Sequence, residues 1–354
     1  MSIIVDAHED IAWNVHALGR DPLQSASVTR EREQSSATPD RAGRCMLGLP
    51  EWIEGRVGVI CGTLFIPPPG AAYPPDYAYH SSEEADTRAQ AQLDTYYRLA
   101  DESEHIELIG CRTDLETVLD SWSTETPQVG IIPLMEGAAP IREPAEAELW
   151  FERGVRAIAL AWRSGSRYAG GDAIAGPLTA AGCELLEVMA DLGLILDISH
   201  LAERAFYEAI DRYEGPVIAS HSNPRALVRG SRQLSDTMIC RIVERDGVIG
   251  IVPYNRFLRP GWRKGDRKEA VTLNHLVAAV DHVCQVAGDA AHVGIGSDFD
   301  GGFGAESAPA GIETVADLPK IGPALRERGY SDDHVDAILG ENWLRLFRNT
   351  LPER

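Results

Sequence analysis

Eight short runs of almost continuous apolar residues punctuate the chain, at positions 3–5, 57–65, 129–134, 155–160, 193–198, 216–219, 248–252 and 293–296. Runs this short and this uniformly apolar read as strands buried on both faces. Between most of them the spacing changes to that of amphipathic helices. Residues 177–192 place Leu178, Leu185, Leu186 and Met189 on one face, and helices are predicted over 82–101, 113–122, 201–213, 235–245, 272–286, 315–328 and 331–351. Ser81 or Ser82 is a natural N-cap for the first, with Glu83 and Glu84 early in its first turn. Strands alternating with helices describe an α/β protein with a parallel sheet covered by helices. With eight units, a closed (β/α)8 TIM barrel forming a single domain over 1–354 is the economical arrangement, and an open doubly wound sheet is the alternative. No glycine-rich dinucleotide or phosphate-binding loop follows the first strand. The rhythm breaks once, at residues 11–56, which are polar and show no clear periodicity. A connection of that length reads as an inserted segment after the first strand, lying over the end where substrate would enter.

Composition narrows the function without choosing it. The chain has 354 residues and a formal net charge of −21. So acidic a surface repels nucleic acid and anionic membranes, so neither is expected as a partner. A small-molecule substrate is expected, and a homo-oligomer is allowed. The six cysteines are scattered without a C-x-x-C pair, which argues against a disulfide framework or a cysteine-based zinc site. Cys61 and Cys240, in apolar surroundings, read as buried thiols. The first strand leaves no room for a signal peptide, and no apolar run approaches a transmembrane length, so a cytoplasmic location is expected.

The chemistry collects where the strands end. His8 and Asp10 follow the first run, Glu136 the third, His200 the fifth, His221 the sixth and Asp298 the eighth. In a (β/α)8 barrel those positions share one face, the one that carries active sites. Any single member has a bland explanation: a hydrogen-bonded structural histidine, or a turn carboxylate. Several at the same end of one barrel read as a metal site with imidazole and carboxylate ligands.

The set Asp6-Ala7-His8-Glu9-Asp10, Glu136-Gly137, Asp197-Ile198-Ser199-His200, Ser220-His221-Ser222, Arg232-Gln233-Leu234-Ser235-Asp236, Gly296-Ser297-Asp298-Phe299-Asp300-Gly301 and Gly340-Glu341-Asn342-Trp343-Leu344-Arg345-Leu346-Phe347 resembles the membrane dipeptidase (renal dipeptidase) family of zinc peptidases, a branch of the amidohydrolase-type barrels. The resemblance implies two zinc ions, one on His8 and Asp10, the other on His200 and His221, with Glu136 bridging them. A hydroxide shared by two such ions, roughly 3.5–4 Å apart, is a nucleophile near neutral pH and would attack the amide bond of a dipeptide or similar small amide. The resemblance also implies that Asp298 serves proton transfer and meets the substrate amino group, and that Arg232 holds the substrate, plausibly by its terminal carboxylate. Asp300 is the second choice for the acid and reads more readily as a turn carboxylate. Glu341-Asn342 reads as structural.

One position departs from the family. Trp162 stands where the family carries a histidine that contacts the substrate and polarises the scissile group. Indole donates one hydrogen bond but neither carries charge nor accepts a proton. Arg163, Arg167 or Tyr168 could supply the missing donor, or the site is shaped for another substrate. Two other functions therefore stay open: a related hydrolase of a cyclic amide, lactone or ester, and a metal-binding protein without turnover.

Overall fold

The computed structural model describes residues 3–71 and 73–354. Nine strands form one parallel sheet: β1 (Ile4–Glu9), β2 (Val57–Leu64), β3 (Ile106–Leu108), β4 (Val129–Met135), β5 (Ala157–Ala159), β6 (Ile195–Asp197), β7 (Val217–Ile218), β8 (Ile249–Ile251) and β9 (Val293–Ile295). Their order is β7-β6-β5-β4-β2-β1-β9-β8. The two end strands meet: Ala219 N–H donates to Val248 O, Gly250 N–H to Ala219 O and Ser222 N–H to Gly250 O. This is a (β/α)8 barrel of eight strands, with β3 outside the count.

Alternation along the strands sorts the core into two shells. Val5, Ala7, Val59, Cys61, Ile132, Leu134, Ala157, Ile195 and Ile218 belong to an inner cluster, together with Trp343 and Phe347. Their neighbours Ile4, Ile60, Ile131, Ile158, Leu196 and Val217 belong to the outer cluster with the helices. Trp343 Nε1 donates to Ile295 O at 3.0 Å, and Asn342 Nδ2 reaches Ala290 O and Val293 O, both at 2.7 Å. The Glu341-Asn342 stretch thus ties the last helix to β9.

β3 was not expected. It pairs with the first half of β4, from Ile106 opposite Val129 to Leu108 opposite Ile131. β5 pairs with the second half, Leu134 opposite Ala157. The two short strands share one edge of β4. The expected 331–351 helix is also not uniform. It runs Asp332–Asp336, widens over Ala337–Glu341, where Asn342 N–H bonds back to Ala337 O, and resumes over Asn342–Thr350. Cys240 is a correction: it is exposed, because Met238, Ile239 and Ile242 take the buried face of the Asp236–Val243 helix.

The inserted segment is folded. It contains short helices at Ala26–Glu33, Thr38–Ala42 and Leu49–Glu54. Its anchor is a buried ion cluster. Arg20 lies 2.7 Å from Glu33 and 3.1 Å from Asp300, and donates to Asn14 Oδ1 at 2.9 Å. Asn14 Nδ2 in turn donates to Asp10 O at 2.5 Å and Asp300 O at 3.0 Å. The Asp300 carboxylate accepts from Met46 N–H at 2.9 Å and faces Cys45 Sγ at 3.3 Å. Asp300 therefore fastens the insertion to the barrel.

Candidate metal centre

Five side chains from four strand ends converge at the mouth of the barrel. Nε2 of His8 lies 3.6 Å from one Glu136 oxygen; Nε2 of His200 and of His221 lie 3.2 and 3.6 Å from the other. Asp10 completes the group, since its carboxylate stands with the His8 imidazole and the Glu136 carboxylate in one three-residue cluster, and Glu136, His200 and His221 form a second. Glu136 is common to both. Asp298 joins His8 and His221 in a third.

The remaining ring nitrogens show which atoms are free to bind. His200 Nδ1 meets the Asp172 carboxylate at 2.8 Å. His8 Nδ1 and His221 Nδ1 meet the same atom, Ser220 Oγ, at 3.0 and 2.8 Å. Ser220 Oγ donates its only proton to Asp197 at 2.6 Å, so it accepts from both rings. With an N–H at each Nδ1, a neutral ring keeps its lone pair at Nε2. The Nε2 atoms of His200 and His221 are 3.0 Å apart, and Nε2 of His8 is buried without a hydrogen-bond partner. Neutral imidazoles and carboxylates pointed at a common centre are the donors that fit divalent zinc.

Electrostatics agree. Burial alone would depress His8, but Glu136, Asp10 and Asp298 outweigh it and hold the imidazole near 9. Burial lifts Glu136, yet His8 and His200 draw it below the usual carboxylate range. Burial, reinforced by Glu136, lifts Asp10 to about 7. Burial drives His221 well below its usual value, with His8, Arg232 and His200 adding to the effect. A cluster that strains its own protonation states in this way is relieved by cations.

Two site residues sit in backbone that glycine usually occupies: His200 at φ 67° and Asp298 at φ 56°. Such strain at non-glycine positions concentrates where function demands it. Next to Asp298, a Cβ on Gly301 would lie 2.1 Å from the Asp298 carboxylate and 2.6 Å from that of Asp10. Only glycine lets the chain pass that close.

The profile of the membrane dipeptidase family, peptidase family M19, matches residues 1–352. This chain belongs to the membrane dipeptidase family. It is a hydrolytic enzyme of metallopeptidase type. Among its relatives, the dipeptidase tcpJ of Claviceps purpurea is 28% identical over 366 residues, 96% of this chain and 80% of that protein. A metallo peptidase from Rhodobacter sphaeroides, solved with a phosphinate mimic of the dipeptide L-Ala-D-Ala, shares the fold with a TM-score of 0.80 at 24% identity, covering 99% of this chain and 100% of that one. A second crystal structure, of a family M19 dipeptidase, aligns with the same TM-score and identity over 99% of both chains.

In this family member the centre forms the floor of a cavity of about 900 Å³. Asp10, Glu136, His200 and Asp298 line its floor, and Trp162, Arg163 and Arg232 line its walls. Trp13, Phe65, Trp162 and His200 form a chain of rings, with neighbouring centroids 6.2, 5.2 and 5.8 Å apart. Trp162 thus stands directly beside one imidazole of the centre. The Arg163 guanidinium is exposed and lies over the Trp162 ring at 5.6 Å. Arg232 donates to Ser222 Oγ at 2.9 Å and to His221 O, while its Nε is buried and unpartnered.

Sequence reasoning missed the supporting roles of four residues of this site. Asp172 holds His200 from a loop with no apolar run to mark it. Thr63 Oγ1 donates to Asp10 at 2.8 Å from within the second apolar run. Ser220 and Asp197 lie inside recognised motifs, but nothing in their spacing reveals that one hydroxyl serves two histidines.

Proposed function

We propose that the chain is a dipeptidase that works with two zinc ions, held by His8 and Asp10 on one side and His200 and His221 on the other, with Glu136 shared. The observation that carries this reading is the convergence of three Nε2 atoms on the two oxygens of one buried carboxylate. When bound, paired zinc ions supply a nucleophile from water near neutral pH and polarise the scissile carbonyl. The chain's own groups do the rest. Burial, reinforced by Asp10 and Glu136 and opposed by His8 and Arg232, pushes the acidity of Asp298 well down and readies it to carry a proton. Arg232, with its unpartnered Nε, suits the terminal carboxylate of the substrate. Trp162 closes the carbonyl side with a ring that offers a single N–H, and Arg163 stands next to it as the charged donor nearest that position.

Zinc-loaded protein, freed of loosely bound ion, is expected to retain two ions per chain. It is also expected to hydrolyse members of a dipeptide panel carrying L- and D-residues at the second position. Glu136→Gln should lower the retained metal and reduce turnover by about 10³-fold or more, the scale of several kcal/mol of lost charge stabilisation. A stoichiometry fixed at one ion sinks the shared role of Glu136. A fully loaded protein inactive on every dipeptide, yet active on a lactone or ester, shifts the function to the related hydrolases.

A further inference from the structure

The cavity walls carry four arginines: Arg163, Arg229, Arg232 and Arg256. This is unexpected in a chain whose acidic residues outnumber its basic ones, 54 Asp and Glu against 33 Lys and Arg. Away from the cavity arginines find carboxylates: Arg225 sits on Glu203, Arg241 on Asp211 and Arg345 on Asp246. Among the described residues, none of the four cavity arginines forms an ion pair. The acids that share their cavity are Asp10, Glu136, Asp172 and Asp298. Two of those are proposed metal ligands, and Asp172 is engaged by His200. Asp172 and Asp298 lend Arg232 some negative charge, but among the described residues Arg229 and Arg256 form no ion pair, and an anion placed between guanidinium groups relieves their mutual repulsion.

Three of the four share a wall. Arg229 and Arg232 stand three residues apart in one loop. Arg232 lies over the Phe257 ring at 5.8 Å, and Phe257 follows Arg256 in the chain. Arg163 stands apart from them in the loop after β5, over the Trp162 ring. If Arg232 takes the terminal carboxylate, Arg229 and Arg256 flank the side chain of the same residue. We infer that this wall is a dicarboxylate subsite, and that the residue released from the C-terminal side of the scissile bond is aspartate or glutamate. The inference rests on the dipeptidase reading above and adds the charge of the leaving residue.

The test compares isosteres. Zinc-loaded protein is assayed on Ala-Asp against Ala-Asn and on Ala-Glu against Ala-Gln, each with the second residue in L and D form. The acidic member of each pair should have the higher kcat/KM, by about 10–100-fold, the size of one or two charge-assisted hydrogen bonds. In the double variant Arg229→Gln, Arg256→Gln the ratio should collapse toward one, chiefly through KM. Equal kcat/KM for acid and amide in the unmodified protein overturns the inference. If no dipeptide is hydrolysed, the dipeptidase reading fails, and binding decides the subsite separately. Quenching of tryptophan fluorescence in metal-free protein is then titrated with Ala-Asp and Ala-Asn. Tighter binding of Ala-Asp supports the arginine wall, and equal binding overturns it.

Discussion

Ser220 shows how much one hydroxyl can settle. It donates to Asp197 and accepts from His8 and His221, so it fixes the tautomer of one ligand on each side of the proposed metal pair. Asp172 does the same for His200 alone. Ser220→Ala should therefore weaken binding of both zinc ions, by about 10–100-fold each, as losing a partner of a ligating imidazole typically does. Ser220→Thr, which keeps the hydroxyl, should restore most of it. Asp172→Asn should weaken one ion only. Competition titration with a chromogenic chelator separates the two patterns, and an unchanged affinity in Ser220→Ala would remove the shared role. The same comparison shows what a sequence displays at this scale. His8, Asp10, Glu136, His200 and His221 stood out because each is a polar residue within a few positions of the end of an apolar run. Asp172 was not, because it reaches His200 across 28 positions through a loop whose path no local pattern encodes.

At the scale of elements, legibility followed burial. The eight barrel strands were evident because both faces of each are covered, which forces an apolar run. Their ends were drawn too long at β5 and β7, since pairing stops before apolar character does: β7 keeps only Val217–Ile218 of the run at 216–219. β3 escaped notice because three residues, Ile106–Leu108, carry almost no pattern. The insertion looked featureless for a related reason. Its helices at Ala26–Glu33, Thr38–Ala42 and Leu49–Glu54 are five to eight residues long, too short for a periodicity, and it is held by a charge cluster together with scattered apolar side chains such as Met46 and Trp52. That cluster makes a prediction. In Arg20→Ala the buried carboxylates of Glu33 and Asp300 lose their cation. Breaking such a cluster from one side typically costs about 3–5 kcal/mol, which denaturant unfolding should register as a lower midpoint. A change within about 0.5 kcal/mol would mean that the insertion is held by other contacts.

For the whole molecule, charge state and metal content are linked. In the metal-free protein His8 stays protonated up to about pH 9, above the ordinary histidine value of about 6.5. Its pairing with Glu136 therefore stabilises the fold fully below about pH 6.5 and fades as pH rises through 9. Zinc needs the Nε2 lone pair, so uptake at pH 7 must expel that proton, with part of another from Asp10. Calorimetry in buffers of different ionisation enthalpy should report about one to one and a half protons released per chain at pH 7, declining above pH 9. Release near zero at pH 7 would show His8 to be neutral before zinc arrives. No described helix is long and apolar enough to cross a membrane.

The division between strand ends and loops has a consequence for anyone who would re-engineer the enzyme. The proposed metal ligands stand at or just beyond the ends of β1, β4, β6 and β7, while the cavity walls are lent by loops. The loop around Arg229 meets a ligand through Arg232, which donates to His221 O, and exchanging the tips of this loop and of the one around Arg256, like the jaws of a tool, would leave the ligating side chains untouched. The loop around Trp162 and Arg163 offers no such freedom. Asp172 N–H donates to His200 O, and Ala173 and Ile174 bond back to Arg163 O, so recutting it would loosen a ligand along with the pocket. Directed evolution toward new substrates should find its cheapest gains on the arginine wall and pay in metal retention for those won beside Trp162.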